Sequence, residues 1–178
     1  MSRIKRGVKL FIKAIQALDK VLERIVRYAI YVAGVITLVM ALVTTFGVVM
    51  RYALHSPEHY SYEIGIFCLI SSVAFAIPYI QQQGRNLRVD FLSNRFPPMV
   101  QGILLNIFVP IIALAYLVPL VWQSWVDAMY SLSIAERTYS AWAPPVGPMK
   151  LFVPIGAGLL CLVFISQLIH GLVALKKR

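Results

Sequence analysis

Charge is what this sequence has least of. Of its 178 residues, 13% are Asp, Glu, Lys or Arg, against about a quarter in a soluble domain. Most of the surface therefore need not face water. Cysteine is scarce as well. Cys68 and Cys161 both sit in apolar runs, which excludes a disulfide framework and suits two small apolar side chains. No Gly-rich phosphate loop, metal-ligand cluster or nucleophile elbow is present. Ser71 and Ser72 have no histidine near them in sequence, and hydroxyls in apolar helices usually bond back to backbone. These gaps leave no catalytic constellation, and no cofactor is expected on the chain.

Acidic residues are also few, 7 against 17 basic ones, for a net charge of +10. That balance suits nucleic acid only if the basic residues line a groove, and they do not. Eight fall within residues 1–27 and three are Lys176, Lys177 and Arg178. Basic clusters flanking apolar spans answer to anionic lipid and membrane orientation instead.

What is present is apolar: 60% of residues are hydrophobic, with mean hydropathy +0.76. A helix needs about 20 such residues to cross a bilayer. Four segments qualify, at about 28–50, 64–80, 98–126 and 151–175. The third lies in an uncharged run from Phe96 to Val126, 31 residues. It spans about 46 Å as a helix, so it must tilt, bend or emerge. Pro97 and Pro98 suit its start, and Pro110 and Pro119 are candidate kinks. The first span is too long, and its basic flank too extended, for a signal peptide.

Four spans put residues 1–27, the loop with Arg85, Arg88 and Arg95, and the 176–178 tail on one side. That side holds 14 basic residues, the other only Arg51, Arg137 and Lys150. The positive-inside rule then places both ends in the cytoplasm. Within residues 1–27, Phe11, Ile15, Leu18, Leu22 and Ile25 form one apolar stripe, with Lys9, Lys13, Lys20, Glu23 and Arg27 opposite. This amphipathic helix either lies on the inner leaflet, the favoured reading, or packs on a partner. The expected fold is an all-α integral membrane protein of four transmembrane helices, both ends inside, with an amphipathic cytoplasmic N-terminal helix.

Charge is absent from every mid-span. Arg51, Glu58, Glu63, Asp127, Glu136 and Lys150 all cluster at the outer boundary, which argues against a proton relay or ion site built from this chain's charged groups. A bis-histidine haem site needs two imidazoles at one depth. His55 and His59 share the outer loop while His170 lies near the inner face. The hairpin between the first two spans is the most distinctive segment, with Arg51, Tyr52, Glu58, His59, Tyr60 and Glu63. Arg51 ends one helix and Glu63 begins the next, so a structural ion pair is expected between them. The tyrosines suit an interfacial belt or a rim that docks a partner outside the membrane.

Three blocks carry a resemblance. The first is Arg51-Tyr52, Pro57, Tyr60 and Glu63. The second is Gly84-Arg85-Asn86-Leu87-Arg88-Val89-Asp90-Phe91-Leu92. The third is the Thr138 region followed by Pro145, Pro154 and Gly156. In this order, with four spans, they resemble the small membrane subunit of tripartite ATP-independent periplasmic (TRAP) transporters over nearly all of residues 25–175. That family often has His where Asn86 stands and Trp where Tyr60 stands. The second block also reads as a short amphipathic helix at the inner surface, with Arg85, Arg88, Asp90 and Arg95 toward headgroups or a partner.

The resemblance implies a non-catalytic subunit of a sodium-coupled organic-acid importer. A large multi-span subunit would hold the substrate and sodium sites. A periplasmic binding protein would deliver substrate, and the small subunit would enlarge the fixed scaffold and help dock that protein. The competing expectation is a membrane anchor for a respiratory oxidoreductase. A self-sufficient exporter normally needs a carboxylate within a span, which this chain lacks.

Overall fold

A computed structural model of the chain describes residues 2–56, 58–84 and 98–176. Among these, regular structure is helical, apart from one isolated bridge between Arg137 and Pro145. Helix α1 is Ser2–Tyr52 and α2 is Ser61–Gln82. Helix α3, Pro98–Ile103, leads through a π segment, Leu104–Phe108, into α4, Val109–Ser133. After a loop come the single turn α5, Gly147–Lys150, and the last helix α6, Phe152–Lys176. Four helical stretches are long and apolar enough to cross a membrane. The bundle has a loop end, with the α1–α2 hairpin and residues 134–146, and a terminal end, where α1 starts and α6 finishes.

The helix limits follow from local chemistry. No proline interrupts α1, so its 51 residues form one helix, about 77 Å long at 1.5 Å per residue. It runs unbroken through Arg27 and Tyr28, where a separate N-terminal segment is expected from the charge pattern. Gly84, with φ of 63°, lies just past the end of α2 and sends its N–H to the Gln81 carbonyl at 3.0 Å. Glycine suits that left-handed position. Pro98 opens α3, matching the expected start of the third span. The third span extends past Val126 to Ser133, so it carries Asp127 on helix rather than loop. Pro119 sits inside α4 without ending it.

Prolines and glycines set the closest helix contacts. A proline in a helix has no N–H for the carbonyl four residues back. Pro78 thus leaves the Ala74 carbonyl without its usual donor, and Pro110 does the same for Asn106. Both prolines are fully buried. Helix α6 comes close at both places through a glycine. A Cβ on Gly156 would lie 2.4 Å from the Ala74 oxygen, and one on Gly171 would lie 2.6 Å from the Asn106 oxygen. Cα–H groups at such crossings make weak hydrogen bonds to carbonyl oxygens. The π segment ends next to Pro110, where the regular i→i−4 ladder is interrupted. Proline and glycine, 61 or more residues apart in the chain, act as matched halves of two seams.

Several hydroxyls inside the spans are satisfied by their own helices. Thr37, Thr44, Thr45, Ser71 and Ser72 each donate to a carbonyl three or four residues back, at 2.7–3.0 Å. Ser71 and Ser72 are therefore packing groups, as apolar helices favour. Between α2 and α6 a polar link joins Gln81 with Gln167, whose amides meet at 3.0 Å. On α1 the inward face is Val26, Ala29 and Ala33, all buried. Leu18 and Ile25 of the predicted stripe are exposed, and Leu22 is half-buried.

Candidate functional site

The loop end gathers the chain's charged and aromatic groups, and its construction starts at a glycine. Gly47 lies where α1 passes the start of α2. A Cβ there would be 2.6 Å from Glu58 Oε1 and 2.8 Å from Ser61 Cβ. This close approach lets Glu58 turn back and cap α2. Its Oε2 accepts the backbone N–H groups of Tyr60 at 2.9 Å and Ser61 at 2.8 Å. Acceptors at a helix start satisfy donors that have no intrahelical partner. The Ser61 hydroxyl beside the carboxylate, the two backbone N–H groups and the nearby Arg51 hold the Glu58 carboxyl below its usual range. That hydroxyl meets no hydrogen-bond geometry and is buried without a partner, so the backbone donors carry the effect.

The expected Arg51–Glu63 ion pair does not form. Arg51 is one turn beyond Gly47 on the face of α1 that meets Glu58, and its field acts there. Glu63 is two residues past Ser61, a rotation of about 200° around α2. It points away from α1 and is 8% exposed. Its Oε2 accepts from the Thr138 hydroxyl of the opposite loop at 3.5 Å. Glu63 thus ties α2 to residues 134–146, across the bundle from where the hairpin suggested.

That loop is itself cross-braced. Thr138 and Ser140 hydroxyls lie 3.1 Å apart, and Ser140 Oγ accepts the Ala143 N–H at 3.0 Å. The backbone pairs Val146 N–H with Glu136 O at 2.9 Å and Thr138 N–H with Pro144 O at 3.1 Å. Ala135 and Ala143 hold positive φ, 48° and 47°, an uncommon state for residues with a Cβ. Trp142 meets Tyr60 edge to face, with ring centres 6.3 Å apart. A cleft of about 370 Å³ opens beside them, lined by Phe67, Arg137, Trp142, Pro144, Pro148 and Phe152.

Lys150 anchors the loop's far side. Its Nζ reaches Ser131 Oγ at 2.8 Å, Glu136 at 3.0 Å and Asp127 at 3.1 Å. One ammonium thereby joins α4, the loop and α5. The Ser131 hydroxyl and this ammonium hold the Glu136 carboxyl below its usual range. Sequence reasoning placed Lys150, Asp127 and Glu136 at one boundary without pairing them. The available signal was their shared depth, two acids and one base.

Of the other expected rim residues, Tyr52, His59 and Tyr60 are exposed at the loop end, and Tyr62 and Tyr139 join them. Arg85, Arg88, Asp90 and Arg95 lie outside the described residues. His55 and His59 are at the loop end and His170 at the terminal end, so no two histidines of different helices share a depth. Among the described residues no group of His, Cys, Asp or Glu is placed to hold a metal.

Four helical stretches long and apolar enough to cross a membrane, with the charged groups gathered at a braced loop end, define the class of a multi-pass membrane protein. Residues 40–174 match the family described as tripartite ATP-independent periplasmic transporters, DctQ component. The chain belongs to that family, the small membrane subunit of TRAP transporters, and is a multi-pass inner-membrane component of a transporter. No curated protein matches the chain.

Proposed function

We propose that the chain is the non-catalytic scaffold subunit of a sodium-coupled organic-acid importer, packing on the large transport subunit and helping to dock the periplasmic binding protein. Charge placement carries this reading. Among the described residues, no Asp, Glu, Lys or Arg lies within 28–50, 64–82, 104–126 or 151–173. A subunit with no intramembrane charge leaves ion and substrate handling to its partner. The exposed apolar faces of α1 and α4, including Leu38, Leu42, Tyr116 and Trp122, suit lipid and the helices of a large subunit. The excess of basic residues at the terminal end favours both ends in the cytoplasm. The loop end, with Tyr60, Trp142 and the cleft, then faces the periplasm as the docking rim.

The test is a mild-detergent pull-down of the tagged chain followed by reconstitution. Support is co-purification with a large multi-span protein and uptake only when both are combined with a periplasmic binding protein. Transport by the chain alone, or a coloured redox partner, would overturn the reading.

A further inference from the structure

At the terminal end, segments from all four spans surround a polar cleft of about 300 Å³, lined by Asp19, Glu23, Gln82, Asn106, Ser166 and His170 among others. Asp19 of α1 is its hub. The Ser166 hydroxyl of α6 donates to Asp19 Oδ1 at 2.6 Å, and His170 Nε2 lies 3.2 Å from Asp19 Oδ2. The other ring nitrogen, His170 Nδ1, is 2.9 Å from the Ser166 carbonyl oxygen. A carbonyl and a carboxylate can only accept. Both ring contacts are therefore hydrogen bonds only when both nitrogens carry protons. A neutral imidazole must give up one of them, turning a lone pair toward either Asp19 or its own helix.

We propose that Asp19, Ser166 and His170 form a proton-operated clasp that fastens α1 to α6, closed when His170 is an imidazolium and loosened when it is neutral. The clasp bridges helices that are otherwise parted on one side. An apolar groove of about 250 Å³ separates them, lined by Leu18, Val21, Ile25, Leu162, Ile165 and Ile169. Along the rest of its length α1 leans on α2, through contacts such as Thr44 against Gly65. Loosening the clasp thus frees the stretch of α1 around Asp19, ahead of the buried Val26, without dismantling the bundle.

The titratable groups facing the clasp are few among the described residues. Helix α1 supplies Asp19 and Glu23, and Glu23 is engaged by Arg27 one turn on. Helix α6 supplies His170. The α2 and π segments supply Gln82 and Asn106, which do not titrate. Lys20 and Arg24 are exposed on α1. Histidine is the side chain that ordinarily changes charge near neutral pH. The proposal does not depend on which partner the bundle meets.

The test is a spin-label distance between Ala17→Cys and Leu172→Cys in the full chain, with Cys68 and Cys161 replaced by alanine, in lipid nanodiscs. The close population dominates at about pH 5.5 and falls two- to five-fold relative to the open one by about pH 8.5, the range expected of a half-exposed ion pair. His170→Gln and Asp19→Asn each abolish that change. A distance independent of pH in the parent, or a pH response retained by either variant, would overturn the clasp.

Discussion

The two ends of the bundle are held by different chemistry. At the loop end, Lys150 with Asp127 and Glu136, and Glu58 on its two backbone donors, are groups that keep their charge across the neutral range. At the terminal end, the links are two neutral amides, Gln81 and Gln167, and a carboxylate that meets an imidazole. One end is braced throughout the neutral range, while the other depends on the proton concentration there. On the proposed scaffold reading the loop end is the rim that a docking partner meets, where a fixed shape lowers the ordering cost of binding. The terminal end is where helix positions can change most cheaply.

The glycine seams offer the largest test of this contrast. Gly171→Ala at the terminal end puts a methyl against the Asn106 backbone carbonyl, which cannot move aside. Gly147→Ala at the loop end meets chiefly the far end of the Leu132 side chain, at 2.7 Å, which can. We expect Gly171→Ala to cost about 1–3 kcal/mol, the range for overpacking, and to lower the detergent melting midpoint well below that of Gly147→Ala. Equal midpoints would show that the Gly171 seam is soft.

Removing the cation at the loop end comes next. Lys150→Met leaves Asp127 and Glu136 side by side without their counter-charge. The partners are largely exposed, so the loss is small, seen as modestly faster proteolysis within residues 134–146. Cleavage at the parent rate would mean the loop is held by its own backbone bonds. The amide pair is smaller again. A double-mutant cycle of Gln81→Leu and Gln167→Leu should return a coupling of about 0.6 kcal/mol, the average for hydrogen bonds between membrane helices. A coupling near zero would leave the terminal end dependent on the clasp.

The smallest effect is the response of the loop end to pH. Glu136 and Glu58 have carboxyls lowered in the folded chain. Their contribution is present above the ordinary carboxylate range and is lost as pH falls through their lowered values. Trp142 fluorescence should therefore stay constant from neutral pH down to about pH 5 and change only in stronger acid. A change near neutrality would mean that His55 or His59 also bears on the rim, and the contrast between the ends would weaken.

Much of this was legible in the residues. The four apolar helices, the helix start at Pro98, the hydroxyls bonded to their own helices and the gathering of charge at the loop end all follow from hydropathy and local rules. The family followed from motif order. Glu63 was located but given the wrong neighbour, because hairpin proximity says nothing of rotation about α2. The charge break at Arg27 suggested two segments, yet no breaker lies there and α1 continues. Asp19 drew no reading from the sequence, because its neighbours in the fold are Ser166 and His170, 147 or more residues away.

By itself, then, the sequence determined what must leave water and where the chain can turn, because transfer free energy and proline or glycine chemistry act residue by residue. The pairing of Pro78 with Gly156 and of Pro110 with Gly171, the reach of Glu63 to Thr138, and the clasp at Asp19 were decided only in the tertiary structure. Lipid and neighbouring helix are equally apolar, so hydropathy cannot choose the face of contact. Close packing and the hydrogen bonds available at each crossing make that choice.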